Sequence, residues 1–213
     1  MHLSLIGMSG SGKSHWSIKL AERGFQRFCC DDLIADKLTP ELRRRDGTAM
    51  DLGEWMGFPY EPRYKERESK YLACEITVIG EILDYLCGSE PEKKVVVDTT
   101  GSVIYAGEDI LGRLRSTSIV VHLATPPEIK EKMLQVYVDQ PRPVLWRDIF
   151  TKKPEEKNEE ALAHCYPLLL SSRERLYGKH AHVTIDYYLR TREGFGVKDL
   201  LGEIQAQSRK RRA

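Results

Sequence analysis

Several marks of specialised protein classes are missing from the sequence. No stretch approaches the ~20 consecutive apolar residues that a membrane span requires, so no membrane partner is expected. The cysteines, Cys29, Cys30, Cys74, Cys87 and Cys165, are odd in number and form no C-x-x-C pair. That argues against a disulfide framework or a zinc site and for a reducing cytoplasm. The N-terminal Met1-His2-Leu3-Ser4-Leu5-Ile6 is apolar but has no basic leader and no cleavage site, so it does not read as a signal peptide. An excess of charge of one sign is also lacking. Against 33 Lys and Arg stand 32 Asp and Glu, a formal net charge of +1, so no global field favours nucleic acid. The one basic run, Arg209-Lys210-Arg211-Arg212, reads as a solvated chain end. His164, His180 and His182 show no metal-ligand spacing and read as structural or surface residues.

What is present fits one α/β domain over the 213 residues, with 41% hydrophobic residues to fill a core and 31% charged to cover it. Apolar runs at 3–6, 25–30, 95–97, 118–123 and 183–185 read as strands. Helical spacing is expected over 13–22, 63–86, 128–137 and 197–205, and the long second one carries Tyr64, Tyr71, Leu72, Ile76, Ile79 and Leu83 at helical intervals. Strands alternating with helices imply a parallel sheet covered on both faces. Residues 139–160 break the pattern. Pro141, Pro143, Pro154 and a charged run suggest a mobile excursion, and a loop of that length inside a domain is usually functional. Trp16, Trp55 and Trp146 read as packing residues.

Chemistry enters at Gly7-Met8-Ser9-Gly10-Ser11-Gly12-Lys13-Ser14, which satisfies G-x-x-x-x-G-K-[ST] between a strand and a helix. Glycines let the backbone curl so that the N–H groups of Ser9, Gly10, Ser11 and Gly12 converge on phosphate oxygens, and the following helix adds its positive end. Lys13 would reach the terminal phosphates of ATP, and the Ser14 hydroxyl would hold Mg²⁺. His15, in the first helical turn, joins this expected nucleotide-binding set. Asp98 ends an apolar strand, where a carboxylate can hold Mg²⁺ directly or through water. Asp31 and Asp32 follow the second strand, where one would orient or deprotonate a hydroxyl, the alternative being helix capping. Arg142, between Pro141 and Pro143, suits a lid that closes on phosphates and excludes water. Arg173, Arg175 and Tyr177 follow on a helix, with Arg173 and Tyr177 on one face.

These residues resemble the shikimate kinase family, a branch of the nucleoside-monophosphate-kinase-like P-loop proteins, from Leu3 to about Leu201. The loop has the family's G-x-x-G-x-G-K-[ST] form. Phe28-Cys29-Cys30-Asp31-Asp32-Leu33-Ile34 resembles F-x-D-x-D-x-x-I; aligned on Ile34, Asp31 takes the second aspartate's place and Cys29 the first's. Tyr64-Lys65-Glu66-Arg67-Glu68 resembles F-R-x-x-E, with Lys65 for the arginine that holds the substrate carboxylate. Lysine keeps the charge and loses the bidentate fork. Thr99-Thr100-Gly101 stands where the family has three glycines. Arg142-Pro143-Val144-Leu145 resembles the lid R-P-L-L, and Arg173-Glu174-Arg175-Leu176-Tyr177 resembles R-x-P-x-Y, whose arginine also holds the carboxylate. Lys132 lies nearest the place of the adenine-stacking arginine.

The resemblance implies a P-loop NTPase fold, a five-stranded parallel sheet of order 2-3-1-4-5, with a substrate-binding segment over about 31–87 and a lid over about 139–160. It implies a phosphotransferase that moves the γ-phosphoryl of ATP, with Mg²⁺, to a hydroxyl. Lys13, Asp31 and Arg142 would be catalytic, and Asp31, Lys65, Thr100, Gly101 and Arg173 would hold the acceptor. Lys65 and Arg173 suggest an acidic, hydroxylated metabolite, and a monomer is expected. Two alternatives stay open. One is a nucleoside, nucleotide or sugar-acid kinase, with Trp55, Tyr60 or Tyr64 stacking on a base. The other is a nucleotide-binding protein that no longer turns over, motivated by Cys29 and the altered glycine loop.

Overall fold

The fold, taken from a computed structural model, is described for residues 1–90 and 92–210; Arg211 and Arg212 of the basic run lie outside them. Five short strands form one parallel sheet: β1 (His2–Ile6), β2 (Gln26–Cys29), β3 (Val95–Asp98), β4 (Ile119–Leu123) and β5 (Val183–Ile185). Their order is β2-β3-β1-β4-β5. The helices are α1 (Lys13–Ala21), α2 (Cys30–Lys37), α3 (Leu52–Met56), α4 (Tyr64–Cys87), α5 (Glu108–Thr117), α6 (Pro127–Asp139), α7 (Asn158–His180), α8 (Tyr187–Thr191) and α9 (Val197–Lys210). None of these helices is long and apolar enough to cross a membrane.

Side chains alternate across the sheet, because strand residues point in turn to opposite faces. Leu3, Leu5, Val96, Val121 and Leu123 meet Trp16 and Leu20 of α1 and Leu200 and Ile204 of α9. Val95, Val97 and Val120 face the other way, into a larger core with Ile34, Ile79, Leu83, Leu114 and Leu169. Both faces are covered, which is why the inner strands β1, β3 and β4 are mostly apolar; the edge strand β2 (Gln26-Arg27-Phe28-Cys29) is only partly buried.

The long helix α4 turns Tyr64, Glu68, Tyr71, Glu75, Val78, Ile79, Ile82, Leu83 and Leu86 inward. The stripe expected from its apolar residues is offset in the middle: Ile76 is exposed and Leu72 only half-buried, while the carboxylates of Glu68 and Glu75 lie inside. Each has two hydrogen-bond donors, described below, that compensate its burial.

Part of residues 139–160 is tied to the core, while 151–155 are exposed. Val144, Leu145 and Trp146 are buried, and Trp146 lies among Tyr137, Phe150 and Tyr166. The Tyr64 hydroxyl accepts from the Trp146 amide at 2.8 Å and lies within donating distance of the Val144 carbonyl (2.7 Å) and Glu68 (2.8 Å). Glu68 also accepts from the amide of Arg147, which takes a left-handed φ of 55°. At the start of the segment, Gly53 packs so closely on Pro141 that a Cβ there would sit 1.9 Å from the Pro141 carbonyl oxygen. Proline and charge made this stretch read as mobile, but long-range hydrogen bonds to α4 hold its root.

Tyr64→Phe removes the partner of a buried amide, and we expect a loss of about 1–3 kcal/mol. Urea unfolding should show a lower midpoint with an unchanged slope; an unchanged midpoint would refute this role for the hydroxyl.

Candidate active site

The register of the strands assembles the site. Leu5 of β1 and Cys29 of β2 both lie opposite Asp98 at the end of β3. The chain leaves these three neighbouring ends as the glycine loop, as the first turn of α2 and as the Thr99–Gly101 segment. Between them opens a cleft of about 480 Å³ lined by Lys13, Ser14, His15, Asp31, Tyr71, Thr100, Gly101 and Arg142, among others. Thus parallel pairing brings the glycine loop, Asp31 and the Thr100–Gly101 segment together, and Arg142 reaches them from outside the sheet.

The loop conformation depends on glycine. Gly7, Gly10 and Gly12 have φ of 143°, 80° and 93°, a region unfavourable for side chains. Lys13 is buried and donates to the carbonyls of Gly7 at 2.9 Å and Met8 at 3.0 Å. Burial lowers its pKa, against the pull of Asp31 and Asp98. The Ser11 hydroxyl is buried without a hydrogen-bond partner among the described residues. The tethered ammonium and the start of α1 together make a concavity suited to anionic oxygens, whereas the Ser11 hydroxyl is turned towards Gly7 and does not line the cleft. Arg190 of α8, which no motif signals, braces this loop from behind, donating to Ser11 O and Ile185 O at 3.1 Å each.

Asp31 sits in the first turn of α2, open to solvent from the cleft but crowded by protein elsewhere. That crowding raises its pKa; Lys13 and the Tyr71 hydroxyl, which donates at 3.1 Å, oppose the rise. Asp32 is exposed and does not line the cleft. Burial lifts the neighbouring Cys29 thiol to about 11, so no anion replaces the missing carboxylate there. Arg142 reaches over the glycine loop, with Nη1 3.4 Å from Ser9 Oγ. Asp51, Leu52 and Gly53 complete the wall. Beside the cleft, and sharing Ser9, Gly10 and Arg142 with it, lies an apolar hollow of about 200 Å³ lined by Ile129, Lys132, Met133 and Val136.

Three expected residues are placed otherwise. Lys65 is exposed on α4 and does not line the cleft, because Tyr64, Glu68 and Tyr71 take the inward face. Asp98 is almost wholly buried, and its Oδ2 accepts from Arg27 at 2.8 Å and Ser17 at 2.9 Å. It therefore lies behind the cleft wall, and Ser14, exposed at the mouth, is the side chain presented for a cation. Mg²⁺ needs few protein ligands when phosphates and water supply the rest, so this arrangement fits. Arg173 is buried: it donates to Leu145 O at 2.8 Å, stacks on Tyr105, and leaves Nε unpartnered among the described residues. A Cβ at Gly101, which lines the cleft, would lie 3.4 Å from Arg173 Nη1, so the guanidinium sits close behind that residue. Arg175 is exposed. Trp55 and Tyr64 are core residues, and Tyr60 stacks on Phe58.

His122, at the C-terminal half of β4, is buried against Tyr177. Burial, with Arg190, Lys130 and Lys13 nearby, lowers its pKa to about 4. It is neutral near pH 7, so its 3.6 Å approach to Glu174 is not an ion pair. The unfolded chain takes up a proton below about 6.5 that the folded chain refuses. Stability should fall as pH drops from 6.5 towards 4, by up to about 3 kcal/mol from this residue. His122→Gln should flatten that part of the profile, and an unchanged slope would refute the assignment. Gly7→Ala places a Cβ 2.9 Å from both Leu123 O and Ser11 Oγ. We expect fluorescent-ADP affinity to fall at least about tenfold while the circular dichroism spectrum is kept.

No protein-family model and no curated protein matches the chain. Solved structures do. The shikimate kinase of Acinetobacter baumannii, in complex with shikimate, is 26% identical with a TM-score of 0.63, over 99% of this chain and 93% of that one. The shikimate kinase of Aquifex aeolicus is 16% identical, TM-score 0.61, over 98% of each chain. That of Bacteroides thetaiotaomicron is 17% identical, TM-score 0.59, over 100% of this chain and 96% of its own. The chain has the fold of a shikimate-kinase-like P-loop kinase, with the sheet order β2-β3-β1-β4-β5 that the fold requires.

Proposed function

We propose that this protein is an ATP-dependent kinase that transfers the γ-phosphoryl to a hydroxyl of a small metabolite. The observation that carries this reading is one cleft lined by Lys13, Asp31 and Arg142. A phosphate-gripping cation, a carboxylate and a lid cation on one space are what in-line phosphoryl transfer to an alcohol requires. On binding, Lys13 exchanges the Gly7 and Met8 carbonyls for phosphate oxygens. Arg142 swings from Ser9 onto the transferred group and helps exclude water. Asp31, its ionised form favoured by Lys13 and Tyr71, orients the acceptor hydroxyl and takes its proton. Mg²⁺ held by Ser14 would neutralise charge on the phosphates. The apolar hollow beside Lys132 and Met133 suits a planar base.

The 26% identity to a kinase solved with shikimate makes shikimate the first acceptor to try. Cys29, Lys65 and Thr99-Thr100 favour a rebuilt acceptor pocket instead. With Lys65 outside the cleft, an acidic acceptor rests on Arg173 alone, behind Gly101.

The test is ADP release from Mg-ATP against a panel of shikimate, other hydroxy acids, sugar acids and nucleosides. One member should give saturable turnover. Lys13→Ala should lower kcat/KM by about 10²–10³, and Asp31→Asn should lower kcat by about 10²–10⁴. Full activity in Asp31→Asn would remove the proposed base. Mg-ATP binding with silence across the panel would favour a nucleotide-binding protein without turnover.

A further inference from the structure

Glu75 is a carboxylic acid with no accessible surface, on the inward face of α4. It has no ion-pair partner among the described residues. Its two oxygens are taken by the segment that follows β3: Thr100 Oγ1 donates to one, and Ser102 Oγ donates to the other at 2.8 Å. The two hydroxyls also touch each other at 3.0 Å, and the Ser102 amide donates to Thr100 Oγ1 at 3.1 Å. The same segment is tied at two further points. Thr99 Oγ1 donates to Leu5 O at 2.7 Å, and the Tyr177 hydroxyl donates to Gly101 O at 2.5 Å. Thr100 and Gly101 at the same time line the cleft. Burying a carboxylate here is costly, and apolar side chains such as Val78 and Ile79 fill the next turn.

We propose that Glu75 is a positioning residue for the cleft wall: its carboxylate fixes the hydroxyls of Thr100 and Ser102, and so sets the shape and hydrogen-bond polarity that residues 99–102 present to the bound acceptor. An ionised carboxylate has only acceptor sites, so both hydroxyls must point their hydrogens at it. A protonated one donates a hydrogen itself, which forces one hydroxyl to accept and frees that hydroxyl's own hydrogen for another partner. The groups facing Glu75 are Asp31 and Cys30 from α2, Arg173 and Tyr177 from α7, and Tyr71 from its own helix. Burial, then opposition from Asp31, lifts its pKa, while Thr100, Ser102 and Arg173 hold it down, to about 7. The switch thus lies near neutral pH. Only the term acceptor rests on the kinase reading above; the coupling of Glu75 to residues 99–102 does not.

The experiment uses the full chain with saturating Mg-ADP, labelled at glutamate carboxyl carbons, and follows carboxyl resonances by NMR alongside hydrogen exchange of residues 99–102 from pH 5.5 to 8.5. The resonance absent from Glu75→Gln should titrate near 7. Protection of 99–102, corrected for intrinsic rates, should change across the same range in the wild type and stay flat in Glu75→Gln. Ser102→Ala removes one hydrogen bond to the ionised form and should move the titration upward. It also serves if Glu75→Gln fails to fold, which circular dichroism reports. A Glu75 resonance titrating below about 5, or protection with the same pH dependence in the variants and the wild type, would overturn the proposal. Failure of the kinase reading alone would leave both signals standing.

Discussion

The shared register of β1, β2 and β3 is the constraint on which the site depends. Leu5 and Cys29 both face Asp98 across the ladder, so three strand ends come level and three segments leave the sheet side by side. Sliding any of these strands by one residue would turn its core face to the wrong side. It would also carry the glycine loop, Asp31 or Thr100 out of the cleft. The apolar alternation of Val95, Val96 and Val97 between two cores therefore fixes the chemistry as well as the packing.

On that frame the cleft collects opposing charges at short range. Lys13, Arg142 and the buried Arg173 stand against Asp31, with Asp98 and Glu75 behind the wall. Each ionisable group is held by neighbours of definite polarity. Lys13 rests on two carbonyls, Asp98 is held by Arg27 and Ser17, and Arg173 is held by Leu145. The Ser11 hydroxyl and Arg173 Nε remain unsatisfied among the described residues.

The segment before α7 has a tied part and an exposed part. Tyr64 and Glu68 hold residues 144–147 by buried hydrogen bonds, while Arg142, two residues earlier, is exposed over the glycine loop. The aromatic cluster around Trp146 packs beside the tied part.

Local patterns made much of this legible. The glycine loop, Asp31 after the second strand, Arg142 between prolines and the strand–helix alternation are all encoded within a few consecutive residues. Local geometry dictates them: glycines for positive φ, apolar alternation for a buried strand, proline for a helix break. The rest was decided by tertiary structure. Lys65 and Glu75 lie on the same helix, and only packing determines that the lysine faces water and the carboxylate faces the core. Asp98 occupied the expected strand end, but Arg27 on the neighbouring strand and Ser17 on α1 bind its carboxylate. Arg190 meets Ser11 from 179 positions away, and no spacing rule reaches that far. A residue's type and its place in a local repeat state what it can do; which group faces it is settled only when distant segments pack, because burial and hydrogen-bond pairing are properties of the assembled core.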